Sequence, residues 1–560
     1  MHATAILIWA TALVLVALVF WFDRRRVPPT RAAWATWPTD PRDLVAIARY
    51  AQRGDARASG RTMDDRTWTD LNLDDVFRLL DRAESLVGQQ VLYQRLRAVP
   101  TADHLDAFEQ LVRRFEADAA ARDTAQRALR RLRQVDAATL DWLVQPGAFE
   151  SAPWHVVFPI LALSMLAATA LAAVSIAGIL LLALGTIVAL VLRVTAASSL
   201  HVAGSAFRHV EPVVTVAERL QAFVTPDTAP LIGACATVGE LASLRRVAQW
   251  AGRDTSGAAA GELSGIVTEY LNLLFALDGN AVYFGSRQIR AHGAQLMRVV
   301  QSVGEIDAAL SVACYRAETR GWTRPIGTAA GNAVVFDGVR HPLVPDAVPA
   351  TLHLAPPDGV IITGANMSGK TTFLRAIGVN AVLAQTIRTC TAARYEAPAF
   401  WVRSCIGRAD DPASGKSYYL VEVEAVLGLV EASRSPEPHL FLFDELFRGT
   451  NTVERIATGE AVLATLLAPD HRAGAHLVVA ATHDQELVDL LQPRYVPFHF
   501  ADRVDEHGLA FDYQLRPGPA TSRNAIALLR LRGAPAPLVA RATARADALT
   551  VVRSATAGGA

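Results

Sequence analysis

The sequence predicts a multi-domain chain of the α plus α/β type, with transmembrane helices, two helical segments and a C-terminal P-loop domain. Three observations predict it. Two uncharged apolar tracts, residues 5–22 and 156–192, are long enough to cross a bilayer. Residues 60–150 and 205–320 place apolar residues at three- and four-residue spacing among many Arg, Glu and Asp, which is the helical period. From about residue 333 the pattern changes to short apolar runs ending at polar residues, VVFDGV, GVIITGAN, HLFLFDEL and HLVVAATHD, with helical stretches between them. That is the α/β rhythm, in which buried strands carry a site at their carboxyl ends.

The first tract holds 18 residues and spans roughly 27 Å as a helix, close to a hydrocarbon core. A cleaved signal peptide wants positive charge ahead of the apolar run, and MHATA has none. Arg24, Arg25 and Arg26 follow the run instead, which predicts an anchor over 1–26 with its N-terminus outside. The second tract is 37 residues without a charge, too long for one span and about right for a hairpin over 153–195 that turns near Ser175–Gly178. A buried core hairpin is the alternative. Three spans leave 23–152 and everything beyond 195 on the cytoplasmic side, so the chain reads as a multi-pass protein of the inner or plasma membrane.

Composition agrees: 51% of the 560 residues are hydrophobic and 19% charged, too apolar for disorder. The formal net charge is zero, so no global electrostatic case exists for nucleic acid. The four cysteines have no metal-ligand spacing and read as reduced, buried thiols.

Residues 364–372, GANMSGKTT, form a G-x-x-x-x-G-K-[ST] loop between an apolar strand and a helix. Gly364 and Gly369 let the backbone wrap phosphate, and Ala365, Asn366, Met367 and Ser368 complete the wrap. Lys370 would reach the β- and γ-phosphates, the Thr371 hydroxyl would ligate Mg2+, and Thr372 closes the motif. Lys370 is one of two lysines in the chain, the other being Lys416; a compact ammonium is kept where Arg serves nearly everywhere else. About 75 residues on, HLFLFDELFRGTNT brings Asp444 to a strand end as a second Mg2+ ligand, with Glu445 next to it to orient or polarise the attacking water. HLVVAATHD ends a third strand at Thr482 and His483, where an imidazole can sense a γ-phosphate by hydrogen bonding.

Together these motifs resemble the MutS family. GANMSGKTTFLRAIG resembles its Walker A segment, FDELFRGTNT its D-E-x-x-R-G-T-x-T segment and ATHDQEL its A-T-H-x-x-E-L stretch. IGRADDPASGKSYYLVEVEAV is similar to the signature loop, in which Ser417 would reach nucleotide held by a partner subunit. GVRHPLVP at 338–345 and GPATSRNAIALLRLRGAP near the C-terminus resemble the edges of the same domain, drawn here over 338–550 with its C-terminal dimerisation helices. Residues 68–100 and 304–325 look like the start and end of the family's helical core, which assigns 60–150 and 200–335 as core and lever segments. The resemblance implies a homodimeric, ABC-like P-loop ATPase using ATP and Mg2+, with Glu445 and His483 at the chemistry and a clamp-like closure.

The departures shape the expected partner. About 40 residues separate the first span from the core-like segment, so no mismatch-reading domain is expected there, nor a nuclease-like Smr domain at the end. QTIR at 385–388 replaces the usual Q-x-G, and the 156–192 hairpin interrupts the core. DNA bound without mismatch specificity is the expected partner beside the bilayer, in a role related to mismatch repair or DNA damage; a protein partner is the alternative. A transporter is disfavoured because ASGKS stands where L-S-G-G-Q would, and the spans carry no charge for a pathway. A scaffold with a nucleotide switch and negligible turnover is the remaining reading.

Overall fold

The computed structural model describes residues 42–557, apart from 54–61, 150, 196–205, 252–269, 356–357, 366, 407–417, 471–474, 506–507 and 521–523. The anchor expected over 1–26 lies outside the described residues, as do Asn366, Lys416 and Ser417. The chain divides into two compact units, residues 1–61 with 80–319 and residues 62–79 with 320–560.

The first unit is helical. Helix α1 (Leu86–Arg97) starts at Ser85, whose side chain accepts from Gly88 N. Helices α2 (Val157–Ala172) and α3 (Ile176–Thr195) form the apolar hairpin. Helix α4 (Leu277–Glu318) has 42 residues, roughly 63 Å of axis, and collects most of the others along it. Close packing on α4 depends on its small residues. A Cβ added at Gly304 would fall 2.3 Å from Val91, and one at Gly285 2.4 Å from Phe207. Buried ion pairs lock the same surface: Arg95 to Glu305 at 2.8 Å, and Arg316 to Glu109 at 2.8 Å and Glu116 at 3.2 Å.

The hairpin leaves apolar side chains outside. Ile160, Leu163, Ile176 and Leu180 are each at least 60% exposed, while Leu161, Met165 and Ala189 pack between the two helices and against Leu274 and Phe275. This differs from a buried core hairpin, whose leucines would face protein. Among the described residues one helix, Pro153–Ala172, is long and apolar enough to cross a membrane, with mean hydropathy 2.0; Ile176–Leu192 is a shorter apolar stretch. Among the described residues one span thus qualifies where the sequence predicts two over 153–195; the third predicted span, over 1–26, lies outside them.

In the second unit the described residues form ten strands: β1 (Ile326–Gly327), β2 (Val334–Val339), β3 (Ala350–Leu354), β4 (Gly359–Thr363), β5 (Arg394–Ala397), β6 (Trp401–Cys405), β7 (His439–Asp444), β8 (Leu477–Ala481), β9 (Tyr495–Asp505) and β10 (Gly508–Pro517). Four make a small sheet in the order β1-β5-β2-β3; six make the main sheet in the order β10-β9-β4-β8-β7-β6. From β9 to β6 the main sheet is parallel, and only β10 runs against its neighbour. Strands β4 and β8 are buried at every position, which is why their sequences read as unbroken apolar runs. Helix α5 (Lys370–Ile387) follows β4, α6 (Thr452–Leu466) follows β7, and α7 (Gln485–Leu491) follows β8. At the end of α5, Arg388 takes φ 47, a left-handed cap that favours glycine; this is where QTIR departs from the family pattern.

Residues 62–79, expected to open the helical segment, pack in this second unit. Asp70 accepts from Ser404 Oγ at 2.8 Å and Ile406 N at 2.9 Å, and Arg403 pairs with Asp64 at 2.7 Å, so the segment covers edge strand β6. Leu71 reaches over α5, where a Cβ at Gly378 would lie 2.7 Å from both Leu71 and Leu442.

Candidate nucleotide site

The loop after β4 is built from backbone that ordinary residues avoid. Gly364 has φ 151, Met367 φ 71 and Gly369 φ 111. A Cβ at Gly364 would stand 2.7 Å from Ser368 Oγ and 2.9 Å from Phe500 O, so glycine there is a packing requirement. The loop ends at Gly369, which caps α5 with no side-chain hydrogen bond, and the first-turn N–H groups of this 18-residue helix keep their capacity for an anion. Lys370 is buried and donates to Gly364 O at 2.8 Å and Ala365 O at 3.0 Å, with His483 Nε2 at 3.5 Å. Ser368 lies beneath the loop, and its Oγ is buried without a hydrogen-bond partner among the described residues.

Sheet order brings the remaining residues to this loop. Strand β8 lies between β4 and β7, with Ile362 and Asp444 both in register with Ala481. Thr371 Oγ1 donates to Asp444 Oδ2 at 2.5 Å. Asp444 Oδ1 is buried with no hydrogen-bond partner among the described residues. Burial pushes the Asp444 carboxyl up, against the Thr371 hydrogen bond that pulls it down; the adjacent Glu445 charge adds to the rise. Orphaned carboxylate oxygen beside a threonine hydroxyl is an all-oxygen donor set, and it fits a hard divalent cation such as Mg2+.

Glu445 follows at φ 53, its N–H donating to Ala481 O at 2.9 Å. Its carboxylate is held twice, by His483 Nε2 at 2.5 Å and Arg448 at 2.6 Å. The His483 hydrogen bond is the main reason its carboxyl lies below the usual carboxylate range. The structure therefore brings Lys370, Thr371, Asp444, Glu445 and His483 together, with Met367, Gly369 and Thr372 on the wall of the adjoining cavity.

That cavity, about 530 Å3, has walls the sequence did not assign, among them His341, Val344–Val348, Phe373, Phe500 and Tyr513. His341 stands in the quoted GVRHPLVP stretch, but the stretch served only as a boundary. Burial, then Arg375, brings its imidazole down to about 4, so it is neutral and accepts from Leu343 N at 3.2 Å. Tyr513 has φ 55 where the β9–β10 register shifts, an irregularity with no signal in the local sequence. Arg448 and the Arg455–Asp484 ion pair were also unassigned.

Comparison with known proteins bears on the same region. The family model of MutS domain V matches residues 360–550. The chain is similar to a DNA mismatch repair protein MutS of Thermus thermophilus, 35% identical over 271 residues, 47% of this chain and 32% of that protein. A DNA mismatch repair protein MutS 2 of Halobacterium salinarum is 33% identical over 277 residues, 48% of this chain and 31% of its own length. One from Natronomonas pharaonis is 30% identical over 268 residues, 46% and 30% respectively. The chain thus spans about a third of the length of these curated relatives. The domain match spans the stretch that folds here into the loop, the strand ends and the sheet around them, and over residues 360–550 the chain carries a MutS domain V.

Proposed function

We propose that the chain is a membrane-anchored MutS-family ATPase whose ATP cycle drives a clamp-like closure of a homodimer around DNA. The observation that carries the reading is the meeting of Lys370, Thr371, Asp444, Glu445 and His483 at the carboxyl ends of three neighbouring parallel strands. Lys370 exchanges its loop carbonyls for β- and γ-phosphate oxygens, and the first-turn N–H groups of α5 take the remaining phosphate charge. Thr371 and Asp444 would hold Mg2+, which when bound would offset negative charge on the phosphoryl oxygens. Glu445, kept ionised by His483 and Arg448, orients or polarises water for in-line attack. Ser417, which lies outside the described residues, would complete the site from the partner subunit.

The exposed apolar faces of α2 and α3 support a bilayer as the second partner, and Arg24, Arg25 and Arg26 after the first apolar tract support a cytoplasmic C-terminal unit. Phosphate release by the full chain in detergent tests the enzyme: Glu445→Gln should lose about 100-fold or more in kcat, and unchanged release removes Glu445 from the chemistry. Binding to duplex, branched and single-stranded DNA should weaken steeply with salt. Absence of salt-sensitive binding to all three would leave the protein-partner reading. Release of the protein from membranes by alkaline carbonate would sink the anchor.

A further inference from the structure

We propose that Arg455 and Asp484 form a positioning clamp that keeps His483 on Glu445; this rests on the hydrolytic reading of the site. Arg455 lies in the first turn of α6, the helix after the Glu445 loop, and Asp484 adjoins His483. The pair is two-pronged, Arg455 Nε to Asp484 Oδ2 at 2.8 Å and Nη2 to Oδ1 at 2.7 Å, with both side chains largely shielded. A planar fork gripping both carboxylate oxygens fixes distance and angle together.

Asp484 gives up something for this. It is the N-cap residue of α7, where an aspartate ordinarily accepts from its own helix, yet its side chain makes no such bond. Its backbone N–H is satisfied instead by Thr482 Oγ1 at 3.0 Å. The carboxylate is turned away from its helix onto Arg455.

Arg455 is firmly rooted in turn. Asn451 caps α6 by accepting from Glu454 N at 3.0 Å, and Arg455 N donates to Asn451 O at 2.9 Å. Between Asp444 and that cap the chain passes through two non-glycine residues at positive φ, Glu445 at 53 and Phe447 at 57. Such backbone persists only where the surroundings over-determine it. Glu445 N to Ala481 O and Phe447 N to Glu422 Oε1 at 2.6 Å tie the loop from the strand side. The clamp ties it from the helix side, directly to the residue next to His483. The 2.5 Å contact of His483 with Glu445 is thus bracketed by a backbone bond at one end and an ion pair at the other.

The test uses the full chain in detergent, with steady-state phosphate release and hydrogen–deuterium exchange in Mg2+ and ATP. Displacing reacting groups by about 1 Å costs up to 100-fold. Arg455→Ala should therefore lower kcat on the order of 10-fold or more with KM for ATP unchanged, because Lys370 and its loop are untouched. Arg455→Lys, with one donor point in place of a fork, should fall between. The reversed pair, Arg455→Glu with Asp484→Arg, should recover much of the loss. Exchange over 445–451 and 482–487 should rise together in Arg455→Ala. Unchanged kcat overturns the clamp, and so does a loss in kcat accompanied by a raised KM that the reversed pair does not relieve. If the wild-type chain releases no phosphate, the hydrolytic reading fails by itself. The exchange arm still decides the clamp, since equal exchange of both segments in wild type and Arg455→Ala overturns it.

Discussion

Replacing Asp307 by Asn should remove a pH-dependent loss of stability from the helical unit. Asp307 is completely buried on α4 and takes hydrogen bonds from Glu84 N at 2.9 Å, Ser85 N at 2.9 Å and Ser85 Oγ at 2.5 Å, so it braces the start of α1 from a neighbouring helix. Burial pushes its carboxyl from an ordinary 3.8 up to about 7, against the pull of those hydrogen bonds. The unfolded chain gives up this proton near the ordinary value and the folded chain near 7. The group's contribution to stability is therefore complete below pH 4, falls as pH rises, and is gone above about 7. At about 1.4 kcal/mol per unit, the full loss is roughly 4 kcal/mol, of which about 2–3 kcal/mol falls between pH 5 and 7. Asparagine fits the same space, but Glu84 N and Ser85 N donate to different oxygens of Asp307, so the asparagine NH2 meets one of these N–H groups at a cost of about 1–3 kcal/mol that does not change with pH. Denaturant unfolding of wild type and Asp307→Asn at pH 5, 6, 7 and 8, followed by circular dichroism, measures the difference and cancels groups common to both. The difference should move in the variant's favour by about 2–3 kcal/mol from pH 5 to 7. A difference constant to within about 0.5 kcal/mol over that range would refute the argument, because Asp307 would then ionise alike in both states.

Asp444→Asn should weaken Mg2+-dependent nucleotide binding and phosphate release by about 10-fold or more while leaving Mg2+-free binding near wild type, read by fluorescent-nucleotide titration; equal loss with and without Mg2+ would remove the metal role. Gly378→Ala sets a methyl 2.7 Å from Leu71 and Leu442. It should cost about 1–3 kcal/mol despite the gain in helix propensity, with Leu71→Val in the same chain restoring part of it. Arg95→Leu leaves Glu305 buried without its 2.8 Å partner. It should destabilise by about 3–5 kcal/mol, and Arg95→Met with Glu305→Leu should recover most of that, both read by thermal unfolding.

The phosphate loop was legible because every element it needs is local: Gly364, Gly369, Lys370 and Thr371 lie within one turn and one helix start. Asp444 and His483 were legible because Asp444 ends the strand that runs through LFLF and His483 lies two residues beyond the apolar strand β8, so both stand at carboxyl ends of buried strands. The cavity walls were not, because His341, Phe500 and Tyr513 reach one volume only through the strand order β10-β9-β4 and the crossing of the smaller sheet's loop. Residues 62–79 were grouped by helical period with 80–150, and periodicity shows which face is buried but not which unit buries it. The Arg455–Asp484 pair is invisible for a related reason: an arginine in a helix's first turn and an aspartate at a helix start are each ordinary, and their meaning lies in facing each other.

In the described fold the Lys370 ammonium is already satisfied by the carbonyls of Gly364 and Ala365. Arriving phosphate would therefore replace existing partners and find no bare charge. The exchange is worth the difference between two kinds of acceptor, which is small beside the full strength of a new ion pair in a buried place. On this reasoning the lysine would sort ligands by whether they carry a phosphate chain long enough to compete, and the grip itself would come from the α5 amides and the cavity walls. A loop that shields its own cation also spares the fold an unpaired buried charge, so the site can stand open without weakening the sheet that carries it.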